Sequence, residues 1–143
     1  MKTARDLLTT KGREVHAVAP DATVYDALAL MAEKGVGAVI VLEGGRLVGI
    51  LSERDYARGV ILQGRTSRNM TVAELMSSPV LTVRLEQTIE DCMALMTARH
   101  VRHLPVVERE ALLGIVTIGD VVKQIISEQE HLIRELENYI RGA

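Results

Sequence analysis

The sequence predicts an α/β module in which two like units of strands and helices share one core, and three observations predict it. First, Val18 to Asp55 aligns without a gap on Val83 to Asp120, 65 positions further on, with 13 of 38 pairs identical. These include Thr23/Thr88, Asp26/Asp91, Met31/Met96, Val36/Val101, Val41/Val106, Gly49/Gly114, Ile50/Ile115 and Asp55/Asp120. Second, within each copy the apolar residues follow helical spacing and then two continuous strand-like runs, in the same order. Third, the 143 residues leave roughly 60 per copy, a size that is marginal alone and is stabilised by a shared core. Two copies fall short of the three or more that a solenoid needs, so a paired domain is the reading.

Each unit opens on a short strand, Val15 to Val18 or Val80 to Val83, followed by a helix entered at Thr23 or Thr88. Val24-Leu28-Met31 and Ile89-Met93-Met96 supply the helical spacing, and Gly35 is placed to end the first helix. Two apolar runs follow, Val39 to Leu42 and Leu47 to Leu51, joined by Glu43-Gly44-Gly45-Arg46 as a tight turn. Leu104 to Val107 and Leu112 to Val116 repeat them. A second helix closes each unit, giving strand, helix, strand, strand, helix. Both units carry a helical prefix, Thr3 to Leu8 and Thr71 to Met76, here 68 apart, so an insertion of three residues lies around Thr10 to Arg13. The expected boundaries are residues 1–64 for the first unit, 65–69 for a polar linker, 70–127 for the second unit and 128–143 for a C-terminal helical extension. In the last helix Val122, Ile125, Ile126, Leu132, Ile133, Leu136 and Ile140 form one broad apolar stripe. That stripe packs either on its own domain or on another subunit.

Composition narrows the function classes. With 48% hydrophobic and 25% charged residues the chain is globular, and with three Tyr and no Phe or Trp it offers no aromatic platform for bases. A net charge of -2 without a basic run argues against nucleic-acid and membrane-surface binding. The lone Cys92 sits on an apolar helical face and reads as core filler. No signal peptide or membrane-length apolar run is evident, so a cytoplasmic location is expected.

Chemistry concentrates at two places. After each hairpin comes hydroxyl-x-x-Asp, Ser52-Glu53-Arg54-Asp55 and Thr117-Ile118-Gly119-Asp120. One reading is a helix capping box, the form that Thr23 to Asp26 and Thr88 to Asp91 also take. The other is an anion site at the helix start, with the Asp accepting hydrogen bonds from sugar hydroxyls, a combination suited to a ribose phosphate. Gly119 leaves room for a ligand, whereas Arg54 at the matching position offers charge or blocks entry. The second place is Arg99-His100-Val101-Arg102-His103, where Arg102 can grip phosphate oxygens and His103 adds a donor; a solvated loop is the plain alternative. His100-x-x-His103 without Cys or acidic partners at ligand spacing does not make a zinc site, and no metal is expected.

The strand led by Arg102-His103-Leu104-Pro105-Val106, then Gly114-Ile115-Val116 and Thr117-x-x-Asp120, resembles the CBS (cystathionine-β-synthase) domain. Two in tandem resemble a CBS pair, or Bateman module. Ser52 to Arg58 and Thr117 to Lys123 are similar to stand-alone bacterial CBS-pair proteins and to plant organellar ones. The resemblance implies two units packed through their small sheets about a pseudo-twofold axis, with two clefts that bind adenosyl ligands: AMP, ADP, ATP, NAD(H) or S-adenosylmethionine. Carried over, the second-copy cleft would use Thr117, Asp120, Arg102 and His103, with Val36, Gly37 and His16 at the base. The first-copy cleft would use Ser52, Asp55 and Arg54, with Gly37 and Ala38 at its rim and Leu81 and Val101 around the base. Because Gly37 and Ala38 stand where the other copy has Arg102 and His103, the second-copy cleft is expected to bind phosphate better, unless Arg54 or Arg58 compensates. The resemblance further implies a homodimer, no catalysis and no catalytic cofactor. The expected function is a nucleotide sensor acting in trans on an unidentified protein partner; the alternative is a constitutive scaffold with vestigial clefts.

Overall fold

The computed structural model describes residues 2–142, so residues 1 and 143, the outer ends of the first unit and of the C-terminal extension, lie outside the described residues. The order of elements is α1 (Ala4–Lys11), β1 (Ala17–Val18), α2 (Val24–Lys34), β2 (Ala38–Glu43), β3 (Arg46–Ser52) and α3 (Glu53–Tyr56), which runs on as a π-helical turn, Ala57–Ile61. Then come α4 (Val72–Leu75), α5 (Ile89–Arg99), β4 (His103–Glu108), β5 (Ala111–Thr117) and α6 (Ile118–Ile140). The duplicated sequence gives duplicated geometry. β2 and β3 pair antiparallel from Ala38↔Ser52 to Glu43↔Arg46 with an irregularity at Val41/Leu42. β4 and β5 pair from His103↔Thr117 to Glu108↔Ala111 with the irregularity at the matching Val106/Val107.

The hairpin turns are both left-handed in backbone, as a two-residue connection between twisted strands demands. Gly44 and Gly45 meet that demand at φ 58° and 80°, while the second copy uses Arg109 and Glu110 at φ 49° and 67°.

The expected strand Val80 to Val83 is not formed; only Val83 bridges in parallel to Val106. The cause is one residue. In the first copy Ile40 N–H donates to His16 O at 2.9 Å and ties β1 to β2. The matching residue in β4 is Pro105, which has no N–H to give. The first sheet therefore has three strands and the second two.

The prefixes are exchanged between units. α1 of the first copy packs on the second, with Ala4 and Arg5 N–H donating to Gln87 O and Leu85 O at 2.9 and 3.0 Å, and with Ala4, Leu7 and Leu8 in a core with Leu85, Ile89, Cys92, Met96, Leu104, Val106, Val116 and Val121. α4 of the second copy packs on the first, with Val72 N–H donating to Ala22 O at 2.8 Å and Val72 joining Ala27, Met31, Val39, Val41 and Leu51. Each small core is completed by the other unit's prefix. β3 and β5 meet at the seam between the sheets.

Candidate functional site

The seam brings the helix that follows one hairpin next to the loop that precedes the other. Ser52 caps α3: its Oγ accepts the Asp55 N–H at 3.2 Å, and its own N–H and hydroxyl donate to Asp55 Oδ2 at 2.9 and 3.0 Å. Thr117 caps α6 in the same way, with Asp120 N–H on its Oγ1 at 3.2 Å and its N–H on Asp120 Oδ2 at 2.8 Å. Both hydroxyl-x-x-Asp motifs are thus capping boxes. Capping occupies Oδ2 and leaves Asp55 Oδ1 without a hydrogen bond among the described residues.

In front of α3 opens a cleft of about 520 Å³, a volume suited to a small organic ligand. Its floor is apolar, with Ile50, Pro79, Val80, Leu81 and Val101, and Gly37 also lines it. Four arginines line it, Arg54 and Arg58 from the first copy and Arg99 and Arg102 from the second, together with His100 and His103. Against them stand only Glu53 and Asp55, so the cleft is electropositive. Arg54 and Arg58 are four apart on one helix face. Arg54 Nη1 also donates to His100 O at 3.4 Å, placing a cation at the C-terminal end of α5 and tying the two copies across the cleft. A separate groove of about 470 Å³ is lined by Arg5, Arg84 to Gln87, Asp91 and Glu108. Its cations are already paired, Arg5 with Glu86 and Arg84 with Glu108 at 3.3 Å, which leaves little for a ligand.

The expected first-copy residues Ser52, Asp55, Arg54, Leu81 and Val101 come together in the 520 Å³ cleft, whereas Ala38 is buried in β2 and does not line it. Arg102 and His103 sit at the seam rather than with the second copy alone. Arg102 O accepts the Ile118 N–H at 2.9 Å, as Gly37 O accepts that of Glu53 at 3.0 Å, so its backbone adjoins Thr117. Yet both residues line the first-copy cleft. Val36 and His16, expected at the second-copy cleft, lie apart from the first-copy one: Val36 N–H closes the end of α2 on Met31 O at 3.0 Å, and the His16 ring lies 3.9 Å from Glu14.

On the second-copy side the sequence reading missed Lys11. Its Nζ donates to Asp120 Oδ2 at 2.7 Å and to Ile115 O at 3.1 Å. Burial disfavours the Asp120 carboxylate, but the Lys11 ammonium and the Thr117 N–H outweigh it and hold the Asp120 pKa below its ordinary value. The signal available in the sequence was the insertion around Thr10 to Arg13, which lengthens α1 by the turn that carries Lys11. His103 lies in the field of both copies: burial, Lys11 and Arg102 lower its pKa, while Asp120 and Asp55 oppose them. Among the described residues no three His, Cys, Asp or Glu side chains converge on a metal position, and no helix is long and apolar enough to cross a membrane.

The family model of the CBS domain matches this chain twice, over residues 4–61 and 72–127. The mitochondrial CBS domain-containing protein CBSX3 of Arabidopsis thaliana is 36% identical over 149 residues, which cover 98% of this chain and 72% of that protein. Among solved structures, a putative signal-transduction protein with CBS domains from Burkholderia ambifaria superposes with a TM-score of 0.87 at 45% identity, over 90% of this chain and 96% of its own. A hexameric CBS-CP12 protein from bloom-forming cyanobacteria superposes with a TM-score of 0.76 at 29% identity, over 85% of this chain and 70% of its own.

Proposed function

This chain belongs to the CBS-domain family, as a tandem pair, and on that basis we propose that it is a non-catalytic sensor that binds an adenine nucleotide in the first-copy cleft and signals occupancy to a protein partner. The observation that carries the reading is the set of four arginines that line an apolar slot together with Ser52 and Asp55. Ile50, Val80, Leu81 and Val101 would cover the base. Asp55 Oδ1 would accept from the ribose hydroxyls. Arg54, Arg58, Arg99 and Arg102 would take the phosphates, for which planar guanidinium groups are suited. A ligand with several phosphates uses this charge best, which favours ATP and ADP over AMP and sets the cationic S-adenosylmethionine last. The expectation that the second-copy cleft binds phosphate better is therefore replaced here by the opposite ranking. Because both copies line the cleft, an occupant would change how they sit against each other, and differential affinity for the two arrangements is the means of signalling.

A thermal-shift panel of ATP, ADP, AMP, NAD(H) and S-adenosylmethionine tests the reading. A ligand present at about a hundred times its Kd adds about 2.7 kcal/mol of stability. Asp55→Ala and Arg102→Ala should each reduce the shift. Protein verified free of carried-over nucleotide that responds to none of the five is a scaffold instead.

A further inference from the structure

His103 stands where the two copies meet. It matches Ala38 in the repeat, yet its ring crosses to the first copy: a Cβ built on Gly37 would lie 3.6 Å from His103 Nε2 and 3.7 Å from Cε1. Both residues line the 520 Å³ cleft, and His103 is half-buried there. Charges from four places act on the ring. Lys11 of α1 and the adjoining Arg102 bring positive charge, Asp120 of α6 and Asp55 of α3 negative. Burial comes first and the two cations next in lowering the His103 pKa, so the free protein carries the ring neutral at pH 7. The other cations of the cleft, Arg54, Arg58 and Arg99, reach it from α3, its π-helical continuation and the end of α5.

We propose that His103 is the proton-responsive member of the first-copy site: phosphates entering the cleft draw a proton onto its ring, so that occupancy of the cleft and pH are linked. The inference rests on the nucleotide reading given above. The four arginines stay charged at every working pH and cannot adjust to what the cleft holds. An imidazole can. His100 lines the cleft too, but it is exposed, where water weakens the pull of a phosphate. An anion near a half-buried imidazole favours its charged form, and phosphates gripped by Arg102 also offset a cation that opposes that form in the free protein. A ligand that raises the pKa of the ring binds the protonated chain more tightly by the same factor. Affinity therefore rises as pH falls from the pKa of the occupied state to that of the free state, and is level on either side.

Isothermal titration of the full chain with ATP, in two buffers of different ionisation enthalpy at pH 6.5, counts the protons taken up on binding. ATP itself titrates in this range, so the quantity read is the difference between chains. The wild type should take up at least about 0.3 proton per ATP more than His103→Gln, and its Kd should fall at least about threefold more than that of the variant between pH 7.5 and 6.0. His100→Gln should match the wild type in both respects. A measurement without substitution stands beside these: the titration midpoint of the His103 ring, followed by nuclear magnetic resonance, should move up by at least about half a pH unit when ATP saturates the chain. Binding with the same proton count in wild type and His103→Gln, a count that falls with His100→Gln instead, or a His103 midpoint that ATP leaves in place overturns the proton linkage and leaves nucleotide binding standing. No heat and no spectral change with ATP at either pH overturns both.

Discussion

His103 is placed where the charges of the two copies overlap, and its titration should be visible in the stability of the free protein. Burial comes first among the causes that lower its pKa, followed by the Lys11 ammonium and Arg102. The folded state therefore resists a proton that the unfolded chain accepts at its ordinary value of 6.5. As pH falls below about 6.5, stability should decline, by at most about 1.4 kcal/mol per pH unit, until the depressed folded pKa is reached. Above that window the group contributes no slope. Urea unfolding at pH 7.5 and 5.5 checks this: His103→Gln should lose part of the acid destabilisation, and an unchanged difference between the two pH values would show that the ring is not the group responsible. At this scale the sequence was legible in kind but not in placement. Ser52, Asp55, Leu81 and Val101 could be assigned to one cleft through the resemblance to the CBS family, which carries their roles over position by position. Arg102 and His103 could not, because an alignment of copies shows which residues correspond and not which side of the seam they face.

The exchanged prefix explains why glycine stands at the same point of both second hairpin strands. A Cβ on Gly114 would lie 2.8 Å from Leu8 Cδ2, and one on Gly49 would lie 2.3 Å from Met76 Sδ. Leu8 and Met76 are matching residues of the two prefixes, 68 apart. Since Leu8 is 1% exposed and has no room to retreat, Gly114→Ala should cost about 1–3 kcal/mol by overpacking, read as a fall in the urea midpoint. Gly37→Ala serves as the comparison, its Cβ meeting His103 Nε2 at an ordinary 3.6 Å, and should change the midpoint little. Equal losses from the two would refute the account of the prefix. The helices and hairpins themselves were legible, because apolar spacing and turn residues are local signals. The exchange of prefixes was not, since Thr3 to Leu8 reads the same whichever core it completes. Nor was the loss of the Val80 to Val83 strand, although its cause, Pro105, was in plain view: a missing N–H matters only once the neighbour it would have bonded is known. The insertion near Thr10 was visible as a number of residues, but its effect on Asp120 needed the helix that carries Lys11 to be placed on β5.

The whole molecule leaves one long element uncovered. Only Val121 of α6 is buried, and every described residue from Ile126 onward is exposed. Ile126, Ile133 and Ile140 alternate with Val122, Gln129 and Leu136 at steps of three and four residues, the spacing of a helix-pairing seam. From Ile126 to Ile140 that seam runs about 21 Å, and a free helix of this length is marginal in water. We infer that a second copy covers this stripe, because a stripe of identical spacing on each chain can pair with itself about a twofold axis. The chain should then sediment as a dimer or a higher even assembly at about 10 µM, while Ile133→Glu with Leu136→Glu should shift it to monomer. Neither side chain belongs to either core, so the thermal transition of the remaining body should persist in that variant. A wild-type chain that sediments as monomer at about 100 µM would exclude self-pairing and assign the stripe to a different protein.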